Sequence, residues 1–371
     1  MKIVLAFDSF KGSLSAEVAC RVVAGKLRAL KPAWQIESLP LADGGEGTAA
    51  ALVENRRGQW RVVQGVTGPL PEMRLEGSFG WLPGDIAVVE MAYVSGLTLL
   101  QKVQRNPLLT TSYGTGQLLA FAAQADAKRI ILTLGGSATV DGGTGAARAL
   151  GWRFLDAVGR EVPLGGGGLR QIAQIKRPQL NLPPVEAWCD VRNALCGREG
   201  AASVYGPQKG ADEAMVAKLE SGLQHLAELV QRQLGVSAPD VPGDGAAGGF
   251  GFGARAFLGA QLIPGAQGVM EVVGLAKALS DADWVITGEG CFDEQSLQGK
   301  VVGEVVQLAR SHSVKAAVLA GRLLLDPVRC RKVGLSLCEQ TMTRGMSTEQ
   351  AMVQAESLLA DAAQRLVDRL D

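Results

Sequence analysis

Residues 2–7 (KIVLAF) are an unbroken apolar run of the length a buried strand needs. Polar positions follow. Val18, Val22, Val23, Leu27 and Leu30 then recur at helical spacing over 15–31, until Pro32 stops the helix. A second strand is predicted at 35–41, then a glycine-rich turn, then a helix from Thr48 to Arg57 closed by Gly58. Strand–helix–strand–helix is the order of a parallel α/β sheet. The far end of the chain has the same grammar. Strands are predicted at 282–287 (ADWVIT), 315–320 (KAAVLA) and 333–338, with a helix from Lys300 to His312 between the first two. A long helix is predicted over 347–370. Ser347 and Gln350 have capping-box spacing, and Val353, Leu359, Leu366 and Leu370 lie on its apolar stripe.

The middle is patterned differently. Between 60 and 95, strand-like runs (WRVVQGV, MRLEGSFGWL, IAVVEMAYV) are broken by Gly and Pro. A helix around 115–125, a strand at 130–136 (IILTLGG) and a strand at 186–191 (EAWCDV) follow. Met215, Leu219, Leu223, Leu226 and Val230 share one face of a helix over 212–234. The two chain ends read as halves of one sheet, so we expect an α/β protein of two domains. One is built from 1–60 and 282–371, the other is inserted over 61–281. Residues 235–249 are expected to be a loop. GAAGGFGFGA (245–254) is expected to be a flexible or closely packed loop, because no clear strand precedes it and no ribose-binding acid follows at dinucleotide spacing.

Composition narrows the function classes. The 371 residues are 47% hydrophobic, enough for well-buried cores. Lys+Arg and Asp+Glu are equal at 37 each, so no net charge draws the chain to nucleic acid or an anionic membrane. The start turns polar at Asp8, too soon for a signal peptide, and no apolar run approaches the roughly 18 residues of a membrane span. The six cysteines are dispersed without a C-x-x-C, as expected of reduced thiols in the cytoplasm. His225 and His312 are the two histidines, which argues against histidine-rich zinc sites and His-based triads; both read as structural or solvated. The 48 glycines have no Gly-X-Y period and must serve local turns.

Five stretches carry candidate chemistry. In DSFKGSLSA (8–16), Asp8 ends a strand and a helix follows, where an anion is favoured; Ser9, Lys11 and Ser13 add donors. In PLADGGEGT (40–48), Asp43 and Glu46 flank a Gly-Gly turn and suit either a hard cation or substrate hydroxyls. PLLTTSYGTG (107–116) and LGGSATVDGGTG (134–145) place Ser112, Thr115, Gly135, Gly136, Ser137 and Asp141 in turns entering helices. Such turns form backbone nests for phosphate or carboxylate, or ordinary tight turns with Asx bonds. In WCDVRNALCGREGAASVYGPQKGA (188–211), Asp190 ends a strand amid Arg192, Asn193, Arg198 and Lys209. In VITGEGCFDEQSLQGK (285–300), Glu289, Asp293 and Glu294 cluster ahead of Lys300. No G-x-x-x-x-G-K-[ST] loop and no protein-kinase signature is present. Hydroxyls, glycine turns, lysines and carboxylates together form a phosphoryl-transfer kit.

These motifs, with TSYGTG and GAAGGFGFGA, together resemble the type-1 glycerate kinase family from residue 3 to about 330. The resemblance implies a flavodoxin-like α/β domain made from both chain ends with a second α/β domain inserted. It also implies phosphorylation of D-glycerate by ATP with Mg²⁺. Bacterial members of this type resemble glycerate 2-kinases of glucarate, galactarate and glyoxylate catabolism, so 2-phosphoglycerate is expected before 3-phosphoglycerate. On this reading Lys11 or Arg192 holds the substrate carboxylate, and Asp190 or Asp293 accepts the hydroxyl proton. Asp43 and Glu46 position Mg²⁺ or hydroxyls. The loops at 112–116 and 135–145 cradle the ATP phosphates, and Lys209 or Lys300 offsets phosphoryl charge. Asp8, Ser9, Ser13, Asn193 and Glu289 complete the binding set. Expected partners are D-glycerate and ATP, without nucleic acid or membrane, with a homodimer left open. Two other classes compete. An NAD-dependent 2-hydroxy-acid dehydrogenase needs a fingerprint where Lys11-Gly12-Ser13 stands, and a non-enzymatic ligand sensor would bind without forming ADP.

Overall fold

A computed structural model describes residues 1–179, 181–237, 241–297, 299–343 and 345–370. The chain divides into two compact units. Unit 1 comprises Met1–Asp43, Ala50–Asn55 and Pro264–Asp371; unit 2 comprises Gly44–Ala49 and Arg56–Ile263. In chain order the strands are β1 (Lys2–Leu5), β2 (Gln35–Ser38), β3 (Gln59–Thr67), β4 (Arg74–Leu82), β5 (Ile86–Glu90), β6 (Arg129–Thr133), β7 (Arg153–Leu155), β8 (Gln174–Lys176), β9 (Val185–Trp188), β10 (Gln261–Ile263), β11 (Trp284–Phe292), β12 (Lys315–Leu323) and β13 (Leu335–Gln340).

In unit 1, β13-β12-β11-β1-β2 form a parallel sheet. Renumbered within the unit the order is 2-1-3-4-5, the flavodoxin-like arrangement. Ile3, Val4 and Leu5 of β1 and Ala316–Ala320 of β12 are buried, as strands covered on both faces must be. On one face the helix Ala16–Leu30 starts at Ser15, whose side chain accepts from Val18 N. It buries Val23 and Leu27 against Leu359, Ala363 and Leu366 of the helix Ala355–Val367. Each such aliphatic burial contributes about 1.5–3 kcal/mol. The helix Val301–Ser311 packs on β11 and β12.

The predicted helix over 347–370 is two helices. The capping box at Ser347 and Gln350 is present, but the first helix ends at Val353 and the next begins at Ala355. Gln354 between them has φ −101° and ψ 15°, outside helical geometry. The break takes Val353 off the apolar stripe and leaves it 87% exposed.

In unit 2, the sheet order is β10-β9-β6-β5-β4-β3. β5, β6, β9 and β10 run parallel, while β3, β4 and β5 pair antiparallel, which accounts for the broken strand-like runs over 60–95. β7 and β8 make a separate antiparallel pair. The helix Glu213–Leu234 is capped by Asp212, which accepts from Met215 N, and buries Leu219, Leu223, Leu226 and Val230. GAAGGFGFGA is not a loop but part of a helix, Ala246–Leu258, with left-handed backbone at Ala247, Gly248 and Gly249. Phe250 and Phe252 anchor it in the core. Its glycines reflect crowding: a Cβ at Gly253 would overlap the carbonyl oxygen of Gly142. Among the described residues, no helix is long and apolar enough to cross a membrane.

Candidate active site

An open parallel sheet binds ligands beyond the carboxyl ends of its strands, where the strand order reverses. In unit 1 the reversal lies between β1 and β11, which pair Ile3 with Trp284 and Leu5 with Ile286. A cavity of about 400 Å³ opens there. The chain leaving β1 lines it with Asp8, Ser9, Lys11 and Ser13. The turn that carries Lys11 is closed by Ser13, whose N and Oγ both donate to Phe10 O at 2.8 and 2.9 Å. Gly12 within it sits at φ +83°, where glycine is unstrained. β11 and the segment after it contribute Glu289, Cys291, Asp293 and Lys300, β12 contributes Arg322, and Asp43 comes from the chain after β2.

Opposed charges are packed closely here. Asp8 is 8% exposed. Burial, then the Asp43 carboxylate, pushes its pKa up to about 7, while the Ser9 amide, donating to Oδ1 at 2.7 Å, and Lys11 pull it down. Lys11 Nζ lies 3.4 Å from Asp43 Oδ2, and that carboxylate raises the lysine's pKa. With the Lys11 side chain 78% exposed, the pair adds little stability; it leaves a solvent-exposed cation among the cavity's lining residues. Burial also raises Glu289, against the pull of Ser296 and Lys300. Asp293 Oδ1 accepts from Gln295 N (2.8 Å) and Ser296 N (3.1 Å) and so shapes its own turn. Arg329 grips the adjacent Glu294 with two bonds of 2.9 and 2.8 Å, fastening that turn to the helix Pro327–Val333.

Unit 2 has its own carboxyl edge. Glu90, the last residue of β5, is fully buried and accepts from Gly47 N (2.8 Å) and Ala49 N (2.9 Å). This clamp holds the turn bearing Glu46 beside Gly135 and Gly136; a Cβ on Gly135 would collide with Gly45 Cα. Asp141, also fully buried, accepts from Ser112 N and Ser112 Oγ, both at 2.8 Å, from Gly143 N at 3.1 Å and from Gly145 N at 3.3 Å. Burial raises its pKa and these four bonds oppose the rise. The amides of Ser112, Gly143 and Gly145 are therefore taken by the protein's own carboxylate. Ser112 Oγ further accepts from Ala146 N, and Thr115 Oγ1 pairs with Ser95 Oγ.

Lys209 is likewise internal. It is 3% exposed, and Nζ donates to Ser137 Oγ and Thr139 O, both at 2.7 Å. Burial pulls its pKa down to about 7, with Asp141 opposing. A folded value below the ordinary 10.5 means that the unfolded chain takes up a proton first as pH falls, so this residue's contribution to stability declines from pH 10.5 down to about 7. Wild type is expected to gain stability over Lys209→Met between pH 7 and pH 10 by up to about 1 kcal/mol per pH unit. Denaturant melts of both proteins at several pH values check this; a pH-independent difference would refute it.

Of the remaining expected residues, Asp190 follows β9 directly and is half-buried, and Arg192 is exposed. The amide of Asn193 is engaged internally: Nδ2 donates to Glu199 O and Oδ1 accepts from Tyr205 OH, both at 2.7 Å. His225 Nε2 contacts Ile172 O at 2.6 Å, and His312 Nδ1 contacts Leu308 O at 2.9 Å, which fits structural roles. Asp43 belongs to unit 1 and Glu46 to unit 2. Among the described residues, no three His, Cys, Asp or Glu side chains are grouped to hold a metal ion.

The family described as the glycerate kinase family matches residues 3–371. The chain belongs to the glycerate kinase family. It is therefore a kinase, an enzyme that transfers a phosphoryl group. It is 42% identical over 370 residues to the glycerate kinase of Halalkalibacterium halodurans, covering 98% of this chain and 97% of that one. It is 43% identical over 332 residues to the glycerate 2-kinase of Escherichia coli, covering 88% of this chain and 86% of the relative. A crystal structure from Salmonella typhimurium LT2, described as a glycerate kinase 2, superposes with a TM-score of 0.88 at 40% identity, covering 100% of this chain and 98% of that one. Two features of this family member escaped the sequence reading. Glu90 ends an apolar strand with no polar neighbour to mark it. Arg322 lies in a segment whose pairing with β11 is invisible in the linear chain.

Proposed function

We propose that this family member is an ATP-dependent kinase of D-glycerate and that 2-phosphoglycerate is its product. The observation that carries the reading is the cavity beside β1 and β11, where Lys11, Lys300 and Arg322 meet Asp8, Asp43, Glu289 and Asp293. Both substrates are anions, and transfer between them needs positioning and charge neutralisation more than covalent chemistry by the protein. The product assignment is supported by the Escherichia coli relative, named a glycerate 2-kinase.

In the proposed step the carbon-2 hydroxyl oxygen attacks the γ-phosphorus. The new O–P bond forms as the bond to the β,γ-bridging oxygen breaks, and ADP leaves. The hydroxyl proton passes to a carboxylate, Asp293 or Asp190. Lys11 and Arg192 are the candidates for the substrate carboxylate, and Lys300 for the phosphoryl charge. Mg²⁺ commonly binds through one or two carboxylates together with phosphates and water. Asp8 and Asp43, near enough to perturb each other, fit that description and would hold it. When bound, it neutralises charge on the donor phosphates. The reading assigns the enzyme to cytoplasmic catabolism of organic acids such as glucarate, galactarate and glyoxylate.

With purified protein, MgATP and D-glycerate, a coupled ADP-release assay is expected to show acceptor-dependent turnover on the order of 1–100 per second. Lactate and tartronate should be poorer acceptors. ADP formed equally fast without an acceptor, or a change at the nicotinamide absorbance band with NAD in place of ATP, would sink the proposal.

A further inference from the structure

We infer that the nucleotide binds in unit 1, in the cavity beside β1 and β11, with its base on the wall made by Met342, Ala351, Met352 and Ala355 and its phosphates toward Lys11, Lys300 and Arg322. This rests on the proposed function and goes beyond it by giving the donor a site, one opposite to the sequence expectation that the loops at 112–116 and 135–145 cradle the phosphates.

Two independent observations lead there. The first is that many donors of the unit 2 loops are already spent inside the protein. The amides of Ser112, Gly143 and Gly145 already point at Asp141, and those of Tyr113, Ala138 and Ala146 are bonded to Thr111 Oγ1, Ser95 O and Ser112 Oγ. Lys209 is sealed from solvent and spends its ammonium on Ser137 and Thr139. Bringing a triphosphate to these donors would mean expelling a buried carboxylate that already takes four hydrogen bonds.

The second is the cavity's own composition. Its volume of about 400 Å³ falls in the range of roughly 300–1,000 Å³ that suits ligands much larger than a three-carbon acid. The cavity lies at the topological switch point, where doubly wound sheets hold the phosphate of a nucleotide, and Lys11, Lys300 and Arg322 are in its lining. The helix Val301–Ser311 begins there at Lys300, whose own side chain does not cap it. Apolar groups share the lining, the thioethers of Met342 and Met352 among them. Sulfur and methyl groups pack well on an aromatic ring, and glycerate has no apolar surface to cover such a wall. Ala351 and Ala355, one in each of the helices that meet at Gln354, both line the cavity.

The test is photolabelling of the wild-type protein with 8-azido-ATP and Mg²⁺, followed by peptide mapping. Label protected by ATP is expected in the peptides covering 341–355. ATP-protected label in 112–116 or 135–146 instead, or no ATP-protected label, would overturn the inference. As a second arm, Ala355→Trp narrows the cavity at a lining position. It should weaken binding of a fluorescent ADP analogue by about tenfold or more while the KM for D-glycerate stays within about twofold. Unchanged nucleotide affinity, or a rise confined to the glycerate KM, would also overturn it. Failure of the proposed function would look different: labelling at 341–355 with no phosphorylation of glycerate would sink that reading and leave the nucleotide site standing.

Discussion

Asp141→Ala is expected to lower stability by on the order of 3–5 kcal/mol, the range for removing one partner from a buried charged network. The substitution strands the amides of Ser112, Gly143 and Gly145 and the Ser112 hydroxyl, all buried and all now bonded to one carboxylate. No water reaches a side chain with zero exposure without opening the loop. Asp141 also faces Lys209, whose ammonium would lose a compensating charge. In a thermal melt the midpoint should fall by roughly 10 °C. Asp156→Ala is the contrast. Asp156 also accepts two backbone amides, from Val158 and Arg160, but its bonds are exposed, so water replaces them and its midpoint should stay close to that of wild type. A midpoint for Asp141→Ala within about 2 °C of wild type would show that the loop does not depend on its internal carboxylate.

The second large effect concerns turnover. One of Asp293→Asn and Asp190→Asn is expected to lower kcat by about 10²–10⁴-fold, the usual span for loss of a general base, with the glycerate KM changed much less. Asparagine is the informative replacement at 293. Oδ1 there accepts from Gln295 and Ser296, and an amide oxygen can keep accepting, so the turn survives while the basic oxygen is lost. Stopped-assay kinetics on both variants decide it. Near-normal kcat in both would remove the two carboxylates from the proton-transfer step.

Local signals in the chain were good guides to the elements of unit 1. The apolar run at 2–7, the helix stopped by Pro32 and the box at Ser347 and Gln350 all depend on neighbours a few residues away, and such information is written in sequence. That the charged motifs after β1 and β11 line one cavity was foreseeable for the same reason: a parallel sheet gathers the ends of its strands whichever residues separate them. The rest was hidden because it depends on burial. Glu90 and Asp141 look like ordinary acids until their amide partners are known. Lys209 looked like a phosphate ligand because a lysine among Ser, Thr and Gly has that composition; its burial makes it a strut for Ser137 and Thr139 instead. The break at Gln354 has no Gly or Pro to announce it, so the exposure of Val353 could not be foreseen from the helical stripe.

The most direct test of the account is proton-coupled phosphorus NMR of a reaction containing the protein, MgATP and D-glycerate. Carbon 2 carries one hydrogen and carbon 3 carries two, so the position of the ester shows in its splitting. The account predicts a phosphomonoester doublet that grows as the γ-phosphate signal of ATP falls. A triplet would assign the phosphate to the other hydroxyl, and loss of the γ-phosphate to inorganic phosphate alone would contradict transfer to glycerate altogether.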